Sequence, residues 1–517
     1  MVEIVSRCYS TFESDKRGAD YACSDLNCTA DYSLPLFCYT DVCAQRAVKE
    51  LPCMSFYFWI ELFFILSVIF LEHKNPHEAI MWVLVISALP YFGVFAYLIF
   101  GNTINIKISR LLRSRRFKKR SQVYNEFHRL MQGDISDTDK SVALFNYNYN
   151  HAIPTTHDSV SFFTSGEAHY KALFEDIERA KSSIHVEFYT IHEDEVGKAF
   201  VKLLSEKAKE GVTVTVICDF LANIHTSHKM FAPIVKNGGY VKRIKRSLTH
   251  FRSHRKIVTV DGEIAYIGGM NIGKQYANRA KVKNPWRDTQ VRLTGACVAV
   301  LENHVNMDTI CTMNDKEDKR FRDACSIVPI PNTGDFSNMC QFMVGGIDDD
   351  KESIKMCYLS MIRSAKSKIC IQSPYFVPDD SLLDALKVAA ASGVQIEIML
   401  PLIKSSFFLE PVSDFYANEL VQYGAKIFKY KGYIHAKTML IDQEICCVGS
   451  VNIDVRSLKV DDEICGVFYN NTLVEEYAQI FREDIENCIC FDSEKFAHRS
   501  KAQKIKERFF LLFAPLM

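Results

Sequence analysis

One pattern occurs twice in this 517-residue chain. The first copy is His254-Arg255-Lys256, four residues, Asp261, six residues, then Gly268-Gly269-Met270-Asn271; the second is His435-Ala436-Lys437, Asp442 and Gly449-Ser450-Val451-Asn452 at the same internal spacing. All keyed positions are offset by 181 residues, so a whole structural unit is duplicated.

The surroundings repeat as well. Gly166 to Ser182 has apolar residues at helical spacing, Ser183 to Ile191 reads as a strand, Gly197 to Glu210 as a helix and Val212 to Cys218 as a strand. The later half reads helix Ile354 to Ser367, strand Lys368 to Gln372, helix Ser381 to Ala391 and strand Val394 to Leu400. Ala-Lys-Ser enters a strand in both halves, at 180–182 and 365–367. Alternation of this kind predicts two α/β halves packed about a pseudo-twofold cleft, residues 142–332 and 333–517, parted where Pro329, Pro331, Asn332 and Gly334 interrupt the pattern.

Each motif continues into a largely apolar run, a turn at Asp261 or Asp442, and a second strand, which is a hairpin. On a strand, residues two apart share a face, so His254 and Lys256 point one way and His435 and Lys437 likewise. His169-Tyr170-Lys171 with Asp176 also satisfies H-x-K-x4-D, but in a helical stretch where positions two apart diverge by about 200°. It lacks the asparagine tail and reads as surface helix. The informative signal is the hairpin with its tail, twice.

Two histidines and two lysines suit phosphoryl chemistry: one imidazole attacks phosphorus, the other protonates the leaving alcohol and then activates the next nucleophile. The lysines, with the amides of Asn271 and Asn452, would neutralise the non-bridging oxygens. Asp261 and Asp442 complete the motif among the candidate catalytic residues, although an aspartate at a hairpin turn is first a turn residue. No C-x-x-C pair supports a zinc ribbon, and no metal or cofactor is expected.

Ahead of the repeats, Ser55 to Leu71 is apolar except for Glu61, and Ala79 to Gly101 is uncharged. As helices these measure roughly 26 and 34 Å, against a bilayer core of about 30 Å. A transmembrane helical hairpin over residues 54–101 is therefore expected. The linker 102–141 then carries Lys107, Arg110, Arg113, Arg115, Arg116, Lys118, Lys119 and Arg120, which puts the repeats on the cytoplasmic side of a cell membrane. Six of the 18 cysteines fall in residues 1–53, as thiols if the hairpin returns that segment to the cytoplasm and as disulfides if only the second span crosses. Lysine plus arginine equals aspartate plus glutamate, 62 each, so global charge recommends no nucleic-acid partner. Lys242, Arg243, Lys245, Arg246, Arg252 and Arg255 crowd the approach to the first motif, either as a solvated strand edge or to attract an anionic membrane.

On these residues the chain resembles the phospholipase D superfamily and, within it, the bacterial cardiolipin synthases. The similarity runs from Leu71 onward and includes Lys74-Asn75-Pro76, Trp286-Arg287-Asp288-Thr289, Pro374-Tyr375-Phe376-Val377-Pro378-Asp379 and Asn452-Ile453-Asp454-Val455-Arg456-Ser457. The resemblance implies transfer of a phosphatidyl group from one phosphatidylglycerol to a histidine, with release of glycerol, and then to a second phosphatidylglycerol. It implies His254 as nucleophile, His435 as acid, and Asp288 and Glu463 as the acids that orient the two rings. A phospholipase D-type hydrolase, or a transferase using another alcohol, remains open on sequence, because water and lipid acceptors are told apart by cleft shape.

Overall fold

The computed structural model describes residues 58–72, 76–101, 141–244, 252–277, 286–312, 321, 325–331, 337–346, 349, 351–403, 406–512 and 514. The amino-terminal cysteines, the basic run at 107–120, Lys245, Arg246 and the basic stretch 279–283 lie outside them. The chain divides into two compact units, residues 1–95 and 96–517.

In the amino-terminal region a helix covers 58–71, but the second apolar stretch differs from the expected single span. It forms helices Pro76–Ala88 and Pro90–Phe100, broken at Leu89. Pro90 has no N–H to offer the Ile86 carbonyl and disfavours helical backbone at Leu89. The ladder resumes when the Gly93 amide donates to the Leu89 carbonyl at 2.5 Å. Among the described residues no helix is long and apolar enough to cross a membrane.

The larger unit is built on two sheets. Strands β1 (Ser159–Phe163), β2 (Ser183–Phe188), β3 (Thr213–Asp219), β4 (Tyr240–Ile244), β5 (Lys256–Val260), β6 (Ile264–Gly268) and β7 (Gln290–Thr294) form the first. Strands β8 (Met339–Gly345), β9 (Lys368–Gln372), β10 (Gln395–Pro401), β11 (Lys426–Tyr430), β12 (Thr438–Ile441), β13 (Ile445–Gly449) and β14 (Glu463–Phe468) form the second. Over these strands the orders are β1-β7-β6-β5-β2-β3-β4 and β8-β14-β13-β12-β9-β10-β11, the same path twice, and the second sheet is extended at its two edges by Thr155–Thr156 and Cys488–Cys490. In each, the first four are antiparallel and the last three run parallel.

Three apolar layers explain why the strands read as near-continuous hydrophobic runs. Val186, Val216 and Val258 face the helices of the first half, and Ile371, Ile398 and Met439 those of the second. Between them, Ile257, Ile267 and Val291 meet Phe342, Leu440, Val448 and Ile464 in a core that both halves share. Ten of the twelve described cysteines are buried, all twelve as thiols, which suits small apolar side chains.

The expected boundary at 142 shifts. Helix Ser141–Asn150 and strand Thr155–Thr156 belong by packing to the second half: Val142 and Ala143 enter its core, Thr155 pairs with Cys340, and the Gln341 amide donates to the carbonyls of Ala143 and Ala152 at 3.1 and 2.8 Å.

Candidate active site

Register carries each motif to the mouth of its sheet. Lys256 opens β5 opposite Phe188, the last residue of β2; Thr438 opens β12 opposite Gln372, the last of β9. Both motifs therefore lie at the carboxyl ends of the parallel strands, where open α/β sheets place ligands. The residues just before each strand cross to the other half. Ser253 bridges Asp462, and the His254 amide donates to the Asp462 carbonyl at 2.8 Å. Tyr433–Ile434 pairs with Trp286–Arg287, and the His435 amide donates to the Arg287 carbonyl at 2.6 Å.

This exchange sets each ring against a carboxylate of the opposite half. His254 Nδ1 lies 2.8 Å from Glu463 Oε1, and His435 Nδ1 lies 2.6 Å from Asp288 Oδ2. Both carboxylates are fully buried, and the rings keep only 14 % and 13 % exposure. Where the carboxylate behind it is ionised, a ring carries its proton on Nδ1 and leaves Nε2 as a base. The imidazolium form is opposed by burial and then by lysine: His254 is held well below its usual range by burial, Lys256 and Lys437, and His435 at about 3 by burial and Lys437. Each ring feels the lysine of the other half as well as its own, which marks a single site.

The lysines are buried too. Lys256 Nζ donates to the His254 carbonyl at 2.5 Å and Lys437 Nζ to the His435 carbonyl, so each ammonium braces its own histidine. Burial lowers Lys256 to about 7 and Lys437 to about 8, with Glu463 and Asp288 pulling the other way.

The carboxylates are not equivalent. Burial pushes Glu463 up to about 7 despite Lys256 and the Ser450 hydroxyl that donates to it. Burial also works to raise Asp288, but Lys437, His435 and the Thr289 amide at 2.8 Å hold it below its ordinary value. The difference accounts for the tails. A Cβ on Gly269 would lie 2.1 Å from Asp288 Oδ1 and displace that carboxylate, whereas beside Glu463 there is room for the Ser450 side chain.

The asparagines differ in the same way. Asn271 is committed to the protein, accepting from the Thr190 amide at 3.2 Å and donating to the Tyr276 hydroxyl at 2.8 Å. The buried Asn452 Oδ1 has no such partner.

Asp261 and Asp442 are not with this group, which corrects their place among the catalytic candidates. They stand at the far ends of β5 and β12, roughly 15 Å along the strand from the lysines. Both adopt left-handed backbone, φ 54° and 53°. Asp261 accepts from the amides of Lys181, Ser182 and Ser183 at 2.7–2.9 Å, and Asp442 from those of Lys366, Ser367 and Lys368 at 2.7–2.8 Å. They tie the hairpin turn to the start of β2 or β9. His169 is a second correction: its helix is as expected, yet the ring is fully buried among Phe163, Tyr170 and Tyr266, and only Lys171 faces solvent.

Two buried ion pairs escaped the sequence reading. Arg255, counted there among the basic residues at the approach, turns into the core, pairs with Asp308 and donates to the Glu463 carbonyl at 3.2 Å. Arg287 makes a two-pronged pair with Asp484 at 2.7 and 3.0 Å and donates to the Asp288 carbonyl at 2.5 Å. Each carboxylate residue is thus gripped at its backbone by an arginine anchored to a helix, Cys297–Thr312 or Asn471–Glu486. The one available sequence signal was that H-R-K and H-A-K differ at the residue facing away from the site. Aromatic rings complete the walls, Tyr189 against His254 and Trp286, Tyr276 and Tyr433 around His435.

Paired histidine–lysine motifs from duplicated α/β halves define the phospholipase D-like class, and comparison with solved structures agrees on the fold. The crystal structure of phosphatidylserine synthase from Haemophilus influenzae superposes with a TM-score of 0.58 at 13 % identity, covering 73 % of this chain and 100 % of that one. The family model described as cardiolipin synthase, PLD-like domain, matches residues 173–282 and 358–485, and that of the phospholipase D-nuclease N-terminal region matches 59–102. Cardiolipin synthase from Listeria innocua is 34 % identical over 475 residues, spanning 89 % of this chain and 97 % of its own length. The major cardiolipin synthase of Bacillus subtilis is 32 % identical over 489 residues, 90 % of this chain and 98 % of its own. The chain belongs to the cardiolipin synthase family.

Proposed function

We propose that this chain is a phosphatidyltransferase that makes cardiolipin from two molecules of phosphatidylglycerol through a phosphohistidine. The observation that carries the mechanism is the crossed arrangement, in which each half supplies a histidine and the carboxylate for the other half's histidine.

His254 is the nucleophile. Its ring is neutral, and the carboxyl behind it, pushed up to about 7, gives limited support to an imidazolium. Nε2 attacks phosphorus, the bond to the headgroup glycerol oxygen breaks, and His435 delivers the proton that the departing oxygen needs. Asp288 stays ionised at 2.6 Å and suits His435 to carry that proton. In the empty site burial and then Lys437 oppose it; a phosphodiester anion between the lysines offsets the lysine field and raises the ring's proton affinity. His435 then takes a proton from the headgroup hydroxyl of the second phosphatidylglycerol, whose oxygen attacks phosphorus and breaks the P–N bond. Lys256 and Lys437 stabilise the charge on the non-bridging oxygens.

Residues 54–101 are proposed as the membrane hairpin, the second crossing bent at Pro90. Supporting this are the exposed apolar side chains Phe63, Phe70, Leu84, Tyr91 and Phe92 on its helices. Alkaline carbonate should leave the full chain in the membrane fraction; release into the wash would contradict the hairpin.

Incubating the purified chain with phosphatidylglycerol labelled in the headgroup tests the reaction. Labelled cardiolipin and free glycerol are expected, whereas phosphatidic acid as the sole lipid product would identify a hydrolase.

A further inference from the structure

The carboxy-terminal helix Lys501–Leu511 carries apolar side chains on its outward face among its lysines and arginine. Ile505, Phe509 and Leu512, at i, i+4 and i+7, are 69, 56 and 63 % exposed, while Phe510 is buried against Val377 and Val412. Next to it the turn after β10 exposes Phe407 and Phe408, whose rings pack on Phe510 at 5.7 and 5.0 Å. Lone exposed apolar residues need no explanation, but a contiguous aromatic and aliphatic patch does.

Charge surrounds the patch. Lys501, Lys504, Lys506 and Arg508 are exposed, and Lys506 Nζ sits 3.4 Å from the Phe407 ring centroid. The helix's single acid, Glu507, is buried and paired with Arg499 at 2.7 Å. A protein partner with an apolar face would cover the rings, but exposed cations beside phenylalanines match the headgroup and acyl layers of an anionic bilayer.

The patch also stands on the side of the sheet where substrate enters. The turn bearing Phe407 and Phe408 follows the carboxyl end of β10, the same end at which Gln372 of β9 pairs with Thr438, the residue after Lys437. Val377, which shares a core with Phe510, pairs with Asp454, two residues beyond Asn452.

We propose that Phe407, Phe408, Ile505, Phe509 and Leu512, with Lys501, Lys504, Lys506 and Arg508, form an interfacial docking surface that seats the second half on an anionic phospholipid bilayer. This rests on the lipid-substrate reading above. It holds the site mouth at headgroup depth, so that phosphatidylglycerol reaches the histidines without leaving the membrane.

The test uses the full chain in nanodiscs with Phe408→Trp as a reporter. Brominated phosphatidylglycerol should quench the added emission, brominated phosphatidylcholine should quench it less, and salt should weaken the effect. Adding Lys501→Ala and Lys504→Ala should shift docking by roughly 25-fold. Turnover of monomeric short-chain phosphatidylglycerol should stay unchanged in both variants, which shows that they fold. Unquenched emission, or equal quenching by the two lipids, would overturn the proposal. Quenching that is lost in discs holding one chain would identify a second copy as the occupant and overturn it equally. The quenching needs no turnover, so it fails or succeeds independently of the synthase reading.

Discussion

The two halves follow one strand path and hold the same histidine–lysine pair, yet they are not interchangeable. The first motif backs His254 with a glutamate that is easily protonated and carries a serine on it; the second backs His435 with a firmly ionised aspartate pressed against a glycine. Duplication supplied the frame, and divergence in the buried acids makes the settings of the two histidines unequal. Symmetry of fold is therefore compatible with asymmetry of chemistry, because the carboxylates are exchanged between halves and each could change on its own.

The largest effect should come from the histidines. His254→Ala and His435→Ala should each lower kcat by about 10³-fold or more, measured as cardiolipin formed per enzyme. The acids should separate the halves more finely. Asp288→Asn should cost about 100-fold in kcat and Glu463→Gln about tenfold, since the ionised partner matters most to the ring that must bear the proton. Equal losses would remove the asymmetry. Gly269→Ser should behave like Asp288→Asn because the new side chain displaces that carboxylate, while Ser450→Gly should be mild.

The lysines predict the pH response. In the free enzyme Lys256 and Lys437 lose their charge as pH rises through about 7 and 8, so kcat/KM should fall on the alkaline side. Bound phosphate favours the charged ammonium and raises both values, so the decline in kcat should begin at higher pH. Coincident limbs would place the titrating groups outside the site. Smaller effects on rate belong to the scaffold. Asp308→Asn and Asp484→Asn strand a buried arginine and should cost about 3–5 kcal/mol in thermal or denaturant unfolding. Asp261→Asn and Asp442→Asn should lower stability by about 1–2 kcal/mol with little change in kcat per folded enzyme.

Much of this was legible in the chain. The repeat offset, the hairpins, the strand Lys368–Gln372 and the convergence of His254, Lys256, His435 and Lys437 follow from spacing and alternation, which are local properties. What was not legible depends on long-range contact. Arg255 reads as one more surface cation until Asp308, 53 residues later, is found beside it in the core. His169 reads as surface helix because nothing nearby in sequence announces the rings of Phe163 and Tyr266 that enclose it. The bend at Leu89 follows from Pro90, which the uncharged run from Ala79 to Gly101 contains.

The division of labour across the shared site is tested most directly by trapping the intermediate. His254→Ala and His435→Ala chains are mixed with phosphatidyl substrate labelled at phosphorus and bearing a leaving group that needs no protonation, then quenched in base, where phosphohistidine survives. Label should accumulate on the His435→Ala chain and be absent from the His254→Ala chain. Label on the His254→Ala chain, or on neither, would contradict the account.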